Sequence, residues 1–131
     1  MPANELIPFK EHADRLTCTP STAVIGKRFV SLAGDRQADG TYTIAPSANA
    51  GKALGVACWD AGVGAKVTVV SVDAGDIVPV RAGAALTAGA SVMSDATGQA
   101  IVATGAAALG ICMTGCASGA DAQIKLSRHS V

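Results

Sequence analysis

The chain has 131 residues, and its ten basic and ten acidic side chains cancel at pH 7, so it lacks the field and the many phosphate-neutralising cations that non-specific binding to nucleic acid or anionic membrane requires. That length fits one domain burying roughly two-thirds of its unfolded surface. Half of the residues are hydrophobic and 15% are charged, a surplus of apolar groups that points to subunit contacts. With Phe9, Phe29, Tyr42 and Trp59 as the whole aromatic set, a pocket that grips a base or sugar by stacking is hard to build.

Residues 1–20 crowd Glu5, Lys10, Glu11, Asp14 and Arg15 among prolines at 2, 8 and 20. They read as an N-terminal arm, either loose or ordered on a neighbour through Leu6, Ile7 and Phe9. The opening Met-Pro-Ala-Asn-Glu has neither the basic region nor the apolar run of a secretory signal, and no stretch reaches the ~18 apolar residues of a membrane helix. Synthesis in the cytoplasm is expected, with no membrane partner.

From residue 21 onward, short runs rich in Val, Ile and Thr alternate with Gly, Asp and Asn, the pattern of an all-β sandwich or barrel. Strands are predicted at 29–32, 42–45, 54–58, 67–72, 77–80, 91–93, 99–103, 109–113 and 123–127. Ala122-Gln-Ile-Lys-Leu-Ser127 alternates cleanly, which turns Ile124 and Leu126 to a core and Gln123 and Lys125 to water or a partner. Val67–Val72 is apolar on both faces from Val69 onward and reads as a central strand, its counterpart as one nearer an edge. Pro79 has no N–H to give a ladder and places its strand at an edge or bulge. Glycines 83, 89 and 105 break the Ala-rich stretches, leaving room for a single helical turn near Ala84–Ala88.

The chain also repeats itself. Ala-Leu-Gly-Val at 53–56 returns as Ala-Leu-Gly-Ile at 108–111, and Gly64 and Val69 return as Gly119 and Ile124, all at one constant offset. A looser echo sets Gly26–Ser31 against Gly89–Ser94 at a larger offset, so the first copy carries a longer insert around Asp35–Ala50. A repeat of this kind marks a structural unit that cannot bury its apolar face alone. The expected architecture is a compact pseudo-twofold β-sandwich or barrel built from two fused half-repeats (about 22–72 and 85–127) within a β domain at 21–131.

Catalytic motifs are missing. A phosphate-binding loop fails at Gly51-Lys52-Ala53 and at Gly26-Lys27-Arg28, which lack the following Ser or Thr. No Gly-x-Ser-x-Gly elbow is present, and Gly62-x-Gly64 opens a strand where a dinucleotide site needs a helix. His12 and His129 sit near opposite ends and make weak general bases. Asp73 and Asp76 read as turn formers, and Trp59 as a core or contact residue. Cys18, Cys58, Cys112 and Cys116 lack the paired clusters of a zinc site and read as buried, reduced thiols, with Cys112 and Cys116 in the places of Ala57 and Ala61. No enzyme activity, metal or cofactor is expected. A small-ligand or glycan-binding β module is the alternative reading.

The order Gly-x-x-Phe-Val at 26–30, Ala-Leu-Gly-Val at 53–56, Gly-Ala-Lys-Val-Thr-Val at 64–69, Ile-Val-Pro-Val, Leu-Thr-Ala-Gly-Ala-Ser-Val, Asp-Ala-Thr-Gly and Ala-Leu-Gly-Ile before Ile-Lys-Leu resembles the capsid cement or decoration proteins of tailed bacteriophages. The resemblance covers roughly Thr22–Ser127. It implies a structural virion protein, commonly a homotrimer, that adds to the outside of an expanded icosahedral shell and bridges neighbouring major capsid subunits. Leu6, Ile7 and Phe9 of the arm are the expected contacts with the shell or a neighbouring subunit.

Overall fold

The computed structural model describes residues 4–7, 13–48, 50, 52–105 and 107–130. These residues form strands and no helix: β1 (Arg15–Pro20), β2 (Phe29–Leu32), β3 (Tyr42–Pro46), β4 (Ala53–Ala57), β5 (Val67–Ser71), β6 (Ile77–Arg81), β7 (Ser91–Ser94), β8 (Ala100–Val102), β9 (Ala107–Thr114) and β10 (Asp121–Ser130). Strands β1 to β5 close into a barrel in the order β1-β3-β2-β4-β5, and β6 to β10 form a five-stranded sheet in the order β6-β10-β9-β7-β8. The all-β fold thus matches expectation: the first half is a closed barrel, and the second is a five-stranded sheet of corresponding strand order whose ends meet at one bridge, an open barrel.

The two copies share one register. Gly55 opposite Ser71 and Val56 opposite Val70 are answered by Gly110 opposite Leu126 and Ile111 opposite Lys125, at the same offset as the Ala-Leu-Gly blocks. Val30 opposite Gly55 is answered by Val92 opposite Gly110, which sets β2 on β7 with Val30 matched to Val92. The sequence alignment of Gly26 with Gly89, which matches Val30 to Met93, was therefore out by a single position. Side-chain alternation explains the difference, because Val30 and Val92 both point inward and are 1% and 0% exposed, and a slip by one would turn β7 inside out.

Residues 15–20, counted with the arm in the sequence, form β1 and belong to the first barrel. Leu16 opposite Val69 and Cys18 opposite Val67 correspond to Val78 opposite Ile124 and Val80 opposite Ala122, so β1 is the counterpart of β6. Its sequence hid this, since the apolar positions Leu16 and Cys18 are set among Arg15, Thr17 and Thr19.

The glycine shared by the two Ala-Leu-Gly blocks has a steric cause. A Cβ on Gly55 would stand 2.0 Å from the Val70 carbonyl oxygen, and one on Gly110 would stand 2.6 Å from that of Lys125. Val70 and Lys125 are themselves counterparts, so both copies need a bare backbone where β4 crosses β5 and β9 crosses β10.

Two cores result. Leu16, Cys18, Val30, Ile44, Val67 and Val69 fill the first barrel. Val80, Val92, Ala100, Cys112, Ala122 and Ile124 fill the second, and their cluster continues into Phe29, Val56, Val70 and Val72 on the outer face of the first barrel. The counterparts of those four on the second barrel are Ser91, Ile111, Lys125 and Ser127, none of them fully buried. The apolar face seen in Val67–Val72 is thus the seam between barrels, worth on the order of 1.5–3 kcal/mol per buried side chain. Both β5 and β10 have two strand neighbours, so β10 is not the edge-type strand that its alternation suggested. It lacks only the second packed face.

The seam also completes the second sheet. In the first barrel β1 and β3 pair in parallel through Cys18, Thr19 and Pro20, whereas β6 and β8 meet only at the bridge Ala82–Ala100. Where the remaining contact would form, the first barrel intervenes: the Arg81 amide donates to the Lys27 carbonyl and the Phe29 amide donates to the Gly98 carbonyl, both at 2.8 Å. Pro79 lies in β6 at the end of the strand order, as its missing N–H predicted. The helical turn near Ala84–Ala88 does not form. Leu86 instead bridges to Cys116 and buries its side chain.

Candidate interaction surface

Apart from Leu32 on β2, the exposed large apolar groups of the first barrel, Ile25, Trp59 and Val63, lie on the loops after β1 and β4. The segment after β1 and the segment after β4 are held together by the bridge Val24–Ala61, with amide to carbonyl distances of 2.9 and 3.0 Å. The Gly26 amide donates to Asp60 Oδ1 at 2.8 Å, and Gly26 lies so close to Trp59 that a Cβ would stand 2.8 Å from the Trp59 Cα. Trp59 Nε1 donates to the Lys66 carbonyl at 3.2 Å, fixing the indole. These ties leave Ile25, Trp59 and Val63 facing outward with 49%, 49% and 71% of their surface exposed. The corresponding positions of the second barrel, located by the shared strand register, hold Thr87, Thr114 and Ser118.

Ile25 also lines a cleft of about 250 Å³ at the junction of the barrels, walled by Val24, Phe29, Pro46 and Ala96, with Arg28 beside them. Arg28 makes no ion pair among the described residues, whereas its neighbour Lys27 is bound to Asp121 at 2.8 Å. A second cleft of about 190 Å³ lies between Lys27, Cys58, Val70 and Pro79, and a shallow groove of about 490 Å³ runs past Ser31, Leu32, Ala48 and Lys52.

Charged groups around these openings serve the fold. Asp39 accepts from the Thr41 amide and hydroxyl and pairs with Lys66 at 2.8 Å. The Lys66 hydrogen bond, helped by Thr41, holds the Asp39 carboxyl well below the usual carboxylate range. Asp121 takes Lys27 from the first barrel and Arg81 from the second, at 2.8 and 3.2 Å, and so ties the seam. Its carboxyl is likewise held low, chiefly by Lys27.

Among the residues singled out in the sequence, Leu6 and Ile7 are 83% and 73% exposed, and Phe9 and His12 lie outside the described residues. His129 is ordered within β10. Its Nε2 meets Ser91 Oγ at 2.9 Å and its Nδ1 meets the Ser127 carbonyl oxygen at 2.7 Å. With a backbone carbonyl in the place where a triad has its carboxylate, this pair fastens β7 to β10. Cys18 and Cys112 are buried as expected, but Cys58 is exposed and Cys116 is half-buried. Cys58 falls just past the end of β4, where the chain turns outward. Among the described residues no group of three His, Cys, Asp or Glu is placed to hold a metal ion.

The sequence reading missed Ile25, Val63 and Arg28 as surface features. The signal was present in the repeat: at each of these positions one copy is apolar or charged and the other is a small or hydroxyl residue, a difference that the shared backbone does not require.

The fold is similar to that of the head fiber gp8.5 N base of bacteriophage phi29, with a TM-score of 0.68 at 18% identity over 89% of this chain and 96% of that one. No curated protein matches the sequence. The family described as phage cement protein matches residues 9–128, nearly the whole of both barrels, and the chain belongs to that family.

Proposed function

We propose that this structural phage protein binds the outer surface of the expanded icosahedral shell and stabilises it by bridging neighbouring major capsid subunits, as a homotrimer and without catalytic activity. The observation that carries the reading is the rigid seam: one chain holds two barrels side by side, joined by a continuous buried cluster and by backbone hydrogen bonds from Phe29 to Gly98 and from Arg81 to Lys27. A chain that touches two neighbouring subunits converts the second binding event into an intramolecular one, so each contact can be weak while the whole is held firmly. Leu6 and Ile7, nearly fully exposed, together with Phe9, supply an arm that reaches an adjacent subunit. The protein is made in the host cytoplasm and ends on the virion.

Shell subunits then cannot part without breaking a bridge, and stability takes the form of a slow rate of opening. A ligand-binding module is less well supported, because the clefts are mostly apolar and offer few convergent polar groups. Co-sedimentation of the purified chain with undecorated, expanded shells tests the proposal. Saturable, stoichiometric pelleting is expected, and absence of binding at micromolar concentration to the cognate shell rejects it.

A further inference from the structure

We infer that the junction cleft and the apolar rim beside it, comprising Arg28, Ile25, Trp59 and Val63, form the shell-facing contact, and that the occupant is an extended segment of a major capsid subunit carrying an apolar side chain next to a carboxylate. The inference rests on the shell-binding reading above and assigns the face that carries it.

Three observations converge on this surface. First, the molecule contains its own control. The second half repeats the strand order around this region, β7-β9-β10-β6 for β2-β4-β5-β1, yet it holds Thr87, Ala90, Thr114 and Ser118 where the first holds Ile25, Arg28, Trp59 and Val63. The fold is built without these four side chains, so their presence in one copy is not a demand of folding. Second, the rim is rigid. The Val24–Ala61 bridge, the Gly26–Asp60 bond and the Trp59–Lys66 bond fix it before binding, which lowers the entropy lost on association. Tryptophan and arginine are the side chains that most often dominate such contacts.

Third, the charge specifies the partner. Arg15, Lys27, Lys66, Arg81 and Arg128 each pair with an aspartate. Arg28, Arg36, Lys52 and Lys125 have no ion pair among the described residues, and of these Arg28 alone is half-buried, at the mouth of an apolar cleft. A planar donor fork beside an apolar cavity fits a carboxylate bidentately while the adjoining side chain fills the cavity. A cleft of about 250 Å³ has room for one or two side chains, which suits a loop and not a globular face.

The test uses the full chain and cognate expanded shells. Arg28→Ala and the triple variant Ile25→Thr/Trp59→Thr/Val63→Ser copy the second barrel's residues into the first, on a backbone that already accepts them in the other copy. Arg28→Glu sets like charges against the partner carboxylate. With unfolding curves checked to match the parent chain, Arg28→Glu is expected to weaken shell binding on the order of 30-fold and the triple variant at least as much, while Gln123→Glu on the exposed face of β10 changes nothing. Should the triple variant unfold, Val63→Asp, at the most exposed rim position, carries the same expectation.

Parent protein that fails to bind shells refutes the shell-binding reading itself. Parent binding with equal binding by Arg28→Glu and the rim variants overturns the assignment and leaves that reading intact. A shift in oligomeric mass with shell binding retained puts a second copy in the cleft, and also overturns it.

Discussion

The Phe29 amide donates to the Gly98 carbonyl at 2.8 Å, and a Cβ on Gly98 would stand 2.6 Å from the Phe29 carbonyl oxygen. Through this contact the first barrel occupies the gap between β6 and β8 and finishes the second. Gly98 also has a φ of +84°, a region that costs a residue with a Cβ about 1–2 kcal/mol. Gly98→Ala is therefore expected to lower unfolding stability by roughly 2–4 kcal/mol, the conformational cost and the clash together. Denaturant titration measures it, and a loss below about 0.5 kcal/mol would mean that the seam is looser than described.

Phe29 is fully buried at the seam, in the same cluster as Val80, Leu86 and Ile124 of the second barrel. Truncation to alanine is expected to cost about 3–5 kcal/mol. Because both barrels share the cluster, calorimetry of the parent chain is expected to show one cooperative transition. Two resolved transitions would make the barrels independent units.

Acid sensitivity follows from two aspartates. Asp39, held low first by Lys66, and Asp121, held low first by Lys27, have folded-state pKa values depressed below their ordinary ones. Such groups contribute stability that is fully present above the unfolded value of about 3.9 and is lost as pH falls through the folded value. The melting temperature should hold level from about pH 7 down to about pH 5 and drop below about pH 4. Asp39→Asn/Asp121→Asn should flatten that drop, and an unchanged acid limb would show that other groups cause it.

Thiol labelling distinguishes the four cysteines. Cys58 is exposed, yet partial burial pushes its thiol up, with the positive charge of Arg15 opposing the shift. Labelling of native protein should be slow at neutral pH, accelerate with alkali and fall on Cys58 first, because the thiolate is the reactive form. Cys18 and Cys112 are buried and should react only on unfolding. Fast native labelling of Cys112 would contradict the packed second core.

Much of the fold was legible because its physics is local. Nine strands announced themselves by alternation and by turn residues such as Asp39-Gly40 and Thr97-Gly98, and the constant offset that carries Leu54 to Leu109 and Gly64 to Gly119 revealed the duplication. β1 was not legible, because its partners Val67–Val70 lie far along the chain, beyond three intervening strands, and its own outward residues are charged or hydroxylic. The slip by one position in the looser echo came from matching glycines, whereas the buried valines at 30 and 92 set the true register. The candidate surface was hidden for a different reason. Apolar side chains at 25, 59 and 63 look like core in a single sequence, and only superposing the two copies exposes them as residues that folding does not require.

In the proposed role the two-barrel chain clamps neighbouring shell subunits. The rate at which expanded shells open on heating, measured with and without saturating protein, tests it most directly. Bridging predicts opening slowed by about tenfold or more once the sites are filled, equivalent to ~1.4 kcal/mol or more in the barrier. Shells that bind the protein stoichiometrically and still open at the bare rate would contradict it.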